Sequence, residues 1–283
     1  MRFGDAELYV VSDGEFHMDG GGLFGLVPKV LWEQLLKPDH LNRVAMALNC
    51  LLVRSAGKTI LVDTGLGSKL SDRQKGILGY VPSDGGGLLA SLARLGVSAS
   101  DVDIVINTHL HSDHCGGNTV EREGQVDPTF PRAEYWIQRR EWAEAFYPNE
   151  RTRPAYDLTN LEPIAREGQL RLVYGDCRVT KQVRCAVTRG HTAGHQSIVV
   201  EAGGNVVVYL GDLAPMAVHL QRLAYVTAYD NEPMETVESK RTMKSWMVEC
   251  GASAVFAHDT CIPIGRLRDD EGKTTVEAVP WPR

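Results

Sequence analysis

The chain has 283 residues, 43% of them hydrophobic, and its 36 acidic side chains outnumber its 30 basic ones, which gives a formal net charge of −6. This acidic balance, together with the lack of a basic stripe, argues against a nucleic-acid partner. No stretch approaches the roughly 20 apolar residues of a membrane span, and the N-terminus lacks the apolar core of a secretory signal, so we expect a cytoplasmic protein without a membrane partner.

The first half of the chain alternates predicted strands with predicted helices. Short apolar runs between turn residues predict strands, and an apolar period near 3.6 predicts helices. In chain order, the patterns predict strands at 8–12, 48–54 and 59–62, a helix at 88–95, strands at 102–106 and 134–137, and a helix at 138–146. Gly96 and Pro148 end the two helices.

The second half continues the same mixture. Several strand-like runs broken by glycines lie between residues 169 and 210, and the last of them covers 205–210. A helix at 235–249 and a strand at 254–257 follow. The strands therefore form two groups, each mixed with helices, which indicates an α/β (α+β) protein, and we predict a single domain over 1–283.

The segment 20–32, between the first two predicted strands, is rich in glycine and yet strongly apolar. Exposed apolar segments commonly mark either a ligand pocket or a subunit interface. We expect a loop of which one part lines the pocket and another part meets a second copy in a homodimer.

Four potential metal ligands follow the buried strand at 102–106. They are His109, His111, Asp113 and His114, and imidazole and carboxylate are ligands that zinc and related ions prefer. Positions two apart in an extended segment face the same way, so His109 and His111 can share one ion while the next two residues face elsewhere. The pattern favours two ions over the alternative of a polar turn whose histidines cap the next segment.

These residues match the H-x-H-x-D-H motif of the metallo-β-lactamase superfamily, which the chain resembles in three further places. The segment 189–195 is similar to the family's G-H-T-x-G-H motif, Asp212 ends a strand as the family's G-D motif does, and His258 stands at another strand end. The resemblance implies a four-layer αββα sandwich with metals along the edge where the two sheets meet.

The resemblance also implies a complete dinuclear site. It would consist of a first group (His109, His111 and His191), a second group (Asp113, His114 and His258) and Asp212 as a bridge. Zinc is the expected metal, with manganese, cobalt or iron as alternatives. Asp63 is either a group that orients a ligand or a plain turn aspartate, and we expect His195 to have a structural or orienting role.

The expected chemistry is hydrolysis by a hydroxide shared between two divalent ions, one of which polarises the attacked oxygen. Asp113 is a candidate acid or base toward the leaving group. The chain resembles the branch that contains quorum-quenching N-acyl-homoserine lactonases and methyl-parathion-hydrolase-like phosphotriesterases, so we expect a small apolar lactone or ester as substrate. A phosphotriesterase, a glyoxalase II-like thioesterase and an iron-dependent redox enzyme remain as alternatives.

One departure concerns the residue three positions after the bridging aspartate. Lactonases of this branch carry a tyrosine there that assists the carbonyl oxygen, and this chain has Pro215. Tyr225 or Tyr229, in the following loop, is a candidate to supply a phenol instead, although each is also an ordinary packing or surface residue.

The six cysteines, at positions 50, 115, 177, 185, 250 and 261, show no C-x-x-C pairing. We expect them to be reduced thiols in the core. Cys115 directly follows His114 and is expected close to the metals, with packing as its more ordinary role.

Overall fold

Two β-sheets lie face to face, with helices on their outer sides, in the computed structural model, which describes residues 1–270 and 273–280. The strands are β1 Arg2–Phe3, β2 Ala6–Asp19, β3 Arg43–Ser55, β4 Lys58–Val62, β5 Val81–Pro82, β6 Ile104–Ile106, β7 Thr119–Arg122, β8 Gln125–Pro128, β9 Glu134–Gln138, β10 Leu170–Val173, β11 Cys177–Arg178, β12 Val183–Val187, β13 Gln196–Ala202, β14 Asn205–Tyr209, β15 Ser253–Val255, β16 Ile264–Asp270 and β17 Lys273–Ala278. The helices are α1 Gly20–Phe24, α2 Lys29–Trp32, α3 Asp72–Leu78, α4 Gly87–Arg94, α5 Ser112–Cys115, α6 Arg139–Phe146, α7 Glu162–Arg166, α8 Ala217–Gln221 and α9 Pro233–Glu249.

The strand order brings several strand ends to one edge of the molecule. The first sheet runs β1-β2-β3-β4-β6-β9-β10, with β5 beside β2, and the second runs β11 to β17 in sequence order. β4, β6, β9 and β10 are parallel, and so are β14 and β15. Parallel strands end at the same edge of a sheet, so the segments that follow β4 and β6 lie together, as do those that follow β14 and β15.

Three apolar layers hold the sandwich together. The central layer joins the two sheets and includes Ile60 and Val62 of β4, whereas Leu61 between them faces the helices that cover the first sheet. A third layer packs Met243 and Met247 of α9 against the second sheet. Because the second half of β4 is buried on both faces, the run 60–62 is continuously apolar rather than alternating. The order helix, sheet, sheet, helix confirms the predicted αββα sandwich.

Most predicted elements are present, and their bounds differ in places. The predicted strand at 134–137 and helix at 138–146 agree with β9 and α6 to within one residue. The predicted strands at 8–12 and 48–54 are parts of the much longer β2 and β3. Along the described parts of the chain, no helix is long and apolar enough to cross a membrane.

The expectation of a loop at 20–32 is wrong, since the segment forms the two short helices α1 and α2. Asp19 caps α1, because its Oδ1 accepts hydrogen bonds from the backbone N–H groups of Gly21 and Gly22 at 2.8 and 3.2 Å. The ring of Phe24 then stacks on Trp32 at 5.0 Å. A local cap and one aromatic contact thus order a segment whose glycines predicted irregular structure.

The expectation of six core thiols is correct for only part of the set. Cys50, Cys115 and Cys185 are buried and Cys177 is half-buried, but Cys250 and Cys261 are exposed. Cys250 lies at the C-terminal end of α9, and Cys261 lies in a turn that the carboxylate of Asp259 caps. Both exceptions lie in connecting segments at the surface, where side chains are commonly exposed.

Candidate metal centre

The seven residues with ligand chemistry come together at the edge where strands of both sheets end. His109 and His111 follow β6, and the short helix α5 turns the chain so that Asp113 and His114 face a different point. His191 follows β12, Asp212 follows β14 and His258 follows β15. Four strand ends from two sheets, together with α5, therefore contribute to one cluster.

The cluster contains three overlapping sets of donor atoms. Two of them are the predicted first and second groups, and the third joins His109 and His114 to Asp212. In the first group, His109, His111 and His191 place one nitrogen each within 4.8 Å of the others. His111 Nδ1 lies 3.0 Å from His191 Nε2. His109 and His191 are almost completely buried, and His111 is 9% exposed.

Asp113, His114 and His258 form the second group, again within 4.8 Å of one another. The Nε2 atoms of His114 and His258 lie 3.0 Å apart, and Asp113 Oδ2 lies 3.5 Å from His258 Nε2. The side chain of Asp113 is 23% exposed, more than its two partners. This carboxylate is therefore the member of the group that solvent or a substrate can reach.

Asp212 lies between the two groups and directs one oxygen toward each. Its Oδ2 is 3.3 Å from His191 Nε2, whereas its Oδ1 is 3.2 Å from the Nε2 atoms of both His114 and His258. A carboxylate in this position can offset the repulsion between two cations about 3.5–4 Å apart. The geometry suits the bridging role that the sequence predicts for this residue.

In the second group, the Nδ1 atoms of both histidines are used in hydrogen bonds, and their Nε2 atoms point toward Asp212. His258 Nδ1 donates to the carbonyl of Ala47 at 2.8 Å, and His114 Nδ1 donates to Asp63 Oδ2 at 2.8 Å. When both rings are neutral, each imidazole presents an Nε2 lone pair to the other and to Asp212 Oδ1. His109 Nε2 and Asp212 Oδ1 are buried without a hydrogen-bond partner among the described residues. Divalent cations would satisfy these lone pairs, so the donor set fits two metal ions.

The electrostatics of the cluster favour positive charge at its centre. Although burial lowers the pKa of His114, the carboxylates of Asp212, Asp113 and Asp63 raise it well above its ordinary value. Burial lowers the pKa of His109, and it lowers that of His111 to about 3, so both stay neutral. Neutral imidazole is the form that binds metal.

Asp63 orients two of the candidate ligands. Its carboxylate accepts from His114 Nδ1 at 2.8 Å and from the Thr108 hydroxyl at 2.8 Å. Since that hydroxyl donates to Asp63, it can accept from His109 Nδ1, 3.1 Å away. His109 Nε2 then keeps its lone pair for a metal. Of the two interpretations of Asp63, the contacts support the orienting one.

His195 holds the backbone of the bridging residue, as its expected role suggests. Its Nδ1 donates to the carbonyl of Thr188 at 3.1 Å, and its Nε2 accepts from the Asp212 N–H at 3.0 Å. Gly211 has φ +54°, and a Cβ there would lie 2.7 Å from His195 Nε2. Only glycine therefore allows the close turn that presents Asp212.

Two supporting carboxylates escaped the sequence analysis. Asp230 Oδ1 accepts from His191 Nδ1 at 2.8 Å and from the Thr227 hydroxyl at 2.6 Å. Asp230 is buried in the loop before α9, and an isolated loop aspartate carries no sequence signal of such a contact.

The second is Glu141, a buried residue of α6. Its carboxylate accepts from the Leu110 N–H at 2.9 Å and from the Thr192 hydroxyl at 2.5 Å, and burial raises its pKa to about 7. Leu110 lies between two candidate ligands and Thr192 follows a third, so Glu141 joins both ligand-bearing segments. The spacing of Glu141 and Ala145, four positions apart, places both on one face of α6. This shared face was the sequence signal that Glu141 points toward the interior.

A cavity of about 410 Å³ opens onto both groups. Its apolar wall consists of Phe16, Met18, Leu23, Met46, Leu66, Leu78 and Pro215, and its polar wall of Ser112, Arg151, Thr152, Thr227, Tyr229 and Asn231. The candidate residues His111, Asp113, His191 and Asp212 lie on its floor. Ligand pockets of this kind pair apolar surface with a few placed polar groups.

The two tyrosines considered in place of Pro215 differ in position. Tyr229 lines the cavity, whereas Tyr225 packs edge-to-face against Phe24 at 6.1 Å. Tyr229 is therefore the phenol available to a ligand. Cys115 is buried and its thiol donates to the carbonyl of Leu110 at 3.3 Å, which is a packing role.

The α1–α2 segment has two environments. Leu23 lines the cavity, as expected for the part of the segment assigned to the pocket. Leu26 is fully exposed, and Val30 and Leu31 are each more than half exposed.

Comparison with known proteins agrees with this architecture. An N-acyl homoserine lactonase from Bacillus cereus is 28% identical over 177 residues, which cover 60% of this chain and 64% of that protein. The match thus spans less than two thirds of that relative's length. A probable metal-dependent hydrolase from Staphylococcus aureus has a similar structure, with a TM-score of 0.90, 28% identity and 99% of each chain covered.

The structure of AidC, a dizinc quorum-quenching lactonase in complex with a product, is also similar, with a TM-score of 0.82 and 20% identity over 100% of this chain and 97% of that one. At this identity the likeness shows the fold alone. The family model of the metallo-beta-lactamase superfamily matches residues 45–245, which include six of the seven clustered residues, all but His258. The chain therefore belongs to the metallo-beta-lactamase superfamily.

Proposed function

We propose that this protein is a dinuclear metal-dependent hydrolase that cleaves lactones or carboxylic esters. The observation that carries the proposal is Asp212, which directs one carboxylate oxygen toward each of two groups of imidazole and carboxylate donors. We assign the ligands as His109, His111 and His191 for one ion, Asp113, His114 and His258 for the other, and Asp212 for both. The names of the relatives, which are lactonases, support the reaction class.

We propose zinc as the metal, with manganese, cobalt or iron able to occupy the same donors. Five of the seven donors are imidazoles, a set that suits zinc, and a carboxylate-rich site would favour harder ions. When bound, two such ions lower the pKa of a water molecule toward neutrality and polarise the attacked carbonyl.

The side chains of the cavity account for the remaining steps. Asp113 is the reachable carboxylate of the second group, and its position suits delivery of a proton to the leaving alkoxide. Tyr229 lines the cavity, and we assign its phenol as the donor to the carbonyl oxygen, a task that Pro215 cannot perform. Asp63 and Asp230 keep His114 and His191 in the orientation that metal binding requires.

The shape of the cavity points to an amphiphilic substrate. Phe16, Leu23 and Met46 can hold an acyl chain, while Arg151 and Asn231, which also line the cavity, can meet an amide or ester group. An N-acyl homoserine lactone combines these features, and it is the substrate class named for the lactonase relatives.

Phosphotriester hydrolysis is the second candidate. Its basis is Pro215, which removes a hydroxyl from the position where lactonases of this branch carry one. We further propose a cytoplasmic homodimer of single-domain subunits, in which the exposed side chains of Leu26, Val30 and Leu31 pack against the second copy.

Parallel turnover of an N-acyl homoserine lactone, an aryl ester and paraoxon by protein of known metal content, before and after chelation, tests the proposal. Chelator-sensitive cleavage with the largest kcat/KM for the lactone supports a lactonase. A larger value for paraoxon would replace the substrate while keeping the metal centre. Turnover that survives complete metal removal would refute the mechanism.

A further inference from the structure

Cys177 and Cys185 lie directly opposite each other on neighbouring antiparallel strands, β11 and β12. Residues in this relation present their side chains on the same face, with Cα atoms about 4.5 or 5.5 Å apart. Both values fall within the Cα separation of about 4.4–6.8 Å that a disulfide needs. Both side chains also pack on the inner face of the sheet, against the apolar layer between the two sheets.

The hairpin that carries this pair is fixed in register at both ends. At the turn, the Val179 N–H donates to the carbonyl of Val183 at 2.8 Å, and the Thr180 hydroxyl accepts from the Val183 N–H at 3.1 Å. At the open end, Asp176 Oδ1 accepts from the Val187 N–H at 2.8 Å. A slip of one residue would break these contacts, so the two thiols stay opposite each other.

We propose that Cys177 and Cys185 are a redox site at which a hydroperoxide forms a reversible disulfide that joins β11 to β12. The Cys177 thiolate attacks the peroxide, breaking the O–O bond, releasing an alcohol or water and leaving a sulfenic acid. The Cys185 thiol then attacks that sulfur, and the sulfenic hydroxyl leaves as water with the thiol proton. Two thiols lose two electrons in total, which the hydroperoxide accepts, and an external dithiol reverses the step.

The environments of the two thiols assign this order of events. Cys177 is half-buried on the edge strand, whereas Cys185 is buried beside it. The contact with the Cys185 thiol lowers the pKa of Cys177, and the same contact together with burial raises the pKa of Cys185. The more accessible sulfur is thus also the more nucleophilic at neutral pH, and its neighbour resolves the oxidised form.

The effect of the disulfide is expected on stability rather than on catalysis. Neither cysteine lines the cavity over the metal centre. The bond would close a short loop around the edge hairpin, which restricts the unfolded chain and raises Tm by on the order of 5 °C. It would also protect an edge strand for which the described residues supply no partner strand on the outer side. The inference does not depend on the proposed function.

Mild treatment with hydrogen peroxide, followed by trypsin without reduction, tests the proposal. Trypsin cleaves after Arg178, Lys181 and Arg184, so the disulfide would link peptide 172–178 to peptide 185–189. We expect this linked pair by mass spectrometry, loss of two titratable thiols from six, a higher Tm, and reversal of all three changes by dithiothreitol.

Single variants separate this site from general thiol oxidation. Cys177→Ser should abolish the linked peptide and the rise in Tm, whereas Cys250→Ser and Cys261→Ser, at the two exposed thiols, should keep both. The proposal is overturned if the exposed cysteines react while peptides 172–178 and 185–189 stay unlinked. It is also overturned if Cys177 is oxidised to the sulfinic acid without a bond to Cys185.

Discussion

Replacement of Asp230 tests whether the carboxylate behind His191 supports the first metal group. In Asp230→Ala, His191 Nδ1 loses its acceptor at 2.8 Å, and the Thr227 hydroxyl loses its acceptor at 2.6 Å. Both His191 and Asp230 are almost completely buried, so water cannot easily replace the lost carboxylate. The imidazole is then free to rotate or to carry its proton on the nitrogen that should face the metal.

The magnitude follows from the hydrogen bond that is lost. A hydrogen bond to a charged group contributes about 1.5–3 kcal/mol, and each 1.4 kcal/mol corresponds to about a tenfold change in affinity. We therefore expect the first ion to bind about 10–100-fold more weakly in Asp230→Ala. Asp230→Asn retains an acceptor oxygen of the same reach but removes the charge, so its loss should lie near the lower end.

The assay is competition with a chromophoric chelator, which resolves two binding steps in the unmodified protein. In Asp230→Ala, one of the two Kd values should rise, namely that of the ion bound by His109, His111 and His191. The Kd of the ion bound by Asp113, His114 and His258 should stay within about threefold of its value in the unmodified protein. Asp127→Asn, at a surface ion pair with Arg166, serves as the matched control. Two unchanged binding steps in folded Asp230→Ala would refute the reasoning.

Three further predictions concern the bridge, the phenol and a buried carboxylate. Asp212→Ala should bind at most one ion per chain, by metal analysis, and its kcat should fall by at least about 10³-fold. A variant that binds two ions and keeps near-normal turnover would contradict the bridging assignment. Tyr229→Phe should lower kcat for a lactone by about 10²-fold, the size of effect expected for one oxyanion donor, and should change KM little. Tyr225→Phe should change neither kcat nor KM. Equal effects of the two substitutions would exclude Tyr229 as the donor. Burial raises the pKa of Glu141 to about 7, so the stabilising contribution of this carboxyl group is full below pH 4.5 and is lost as pH rises through 7. In urea unfolding of chelator-treated protein, Glu141→Gln should therefore gain stability relative to the unmodified protein between pH 5 and 8, by at most about 3 kcal/mol. A stability difference that stays constant with pH would contradict the pKa shift.

The sequence was sufficient to predict those features that local pattern encodes. The predicted division of His109 and His111 from Asp113 and His114 follows from strand period and the turn after it. The structure brings the first pair together with His191 and the second pair together with His258, but it also groups His109 with His114 and Asp212. The αββα order was available only through the family resemblance, because periodicity shows a strand's faces but not which sheet it joins. The ligand roles themselves stay predictions that metal analysis must test.

The contacts that escaped prediction join residues distant in the chain. Asp230 meets His191 and Glu141 meets Thr192 only after α6 and the loop before α9 dock beside the cluster. For Glu141 the spacing to Ala145 on one helix face was a local signal, whereas no local pattern distinguishes Asp230 from an aspartate that faces solvent. The same limit applies to the α1–α2 segment, where a single cap at Asp19 decided between loop and helix.

The position of His258 explains why the metal groups require both sheets. Its ligand nitrogen belongs to the segment after β15 in the second sheet, but its Nδ1 donates to Ala47 of β3 in the first sheet. Asn49 extends this joint, since its side-chain amide donates to the carbonyls of Phe256 and Asp259 at 3.0 and 3.1 Å. The orientation of His258 is therefore set by a strand of the opposite sheet, and the second group forms only when the two sheets have docked. Binding of an ion to that group would in turn hold the sheets together, which couples metal affinity to the stability of the sandwich.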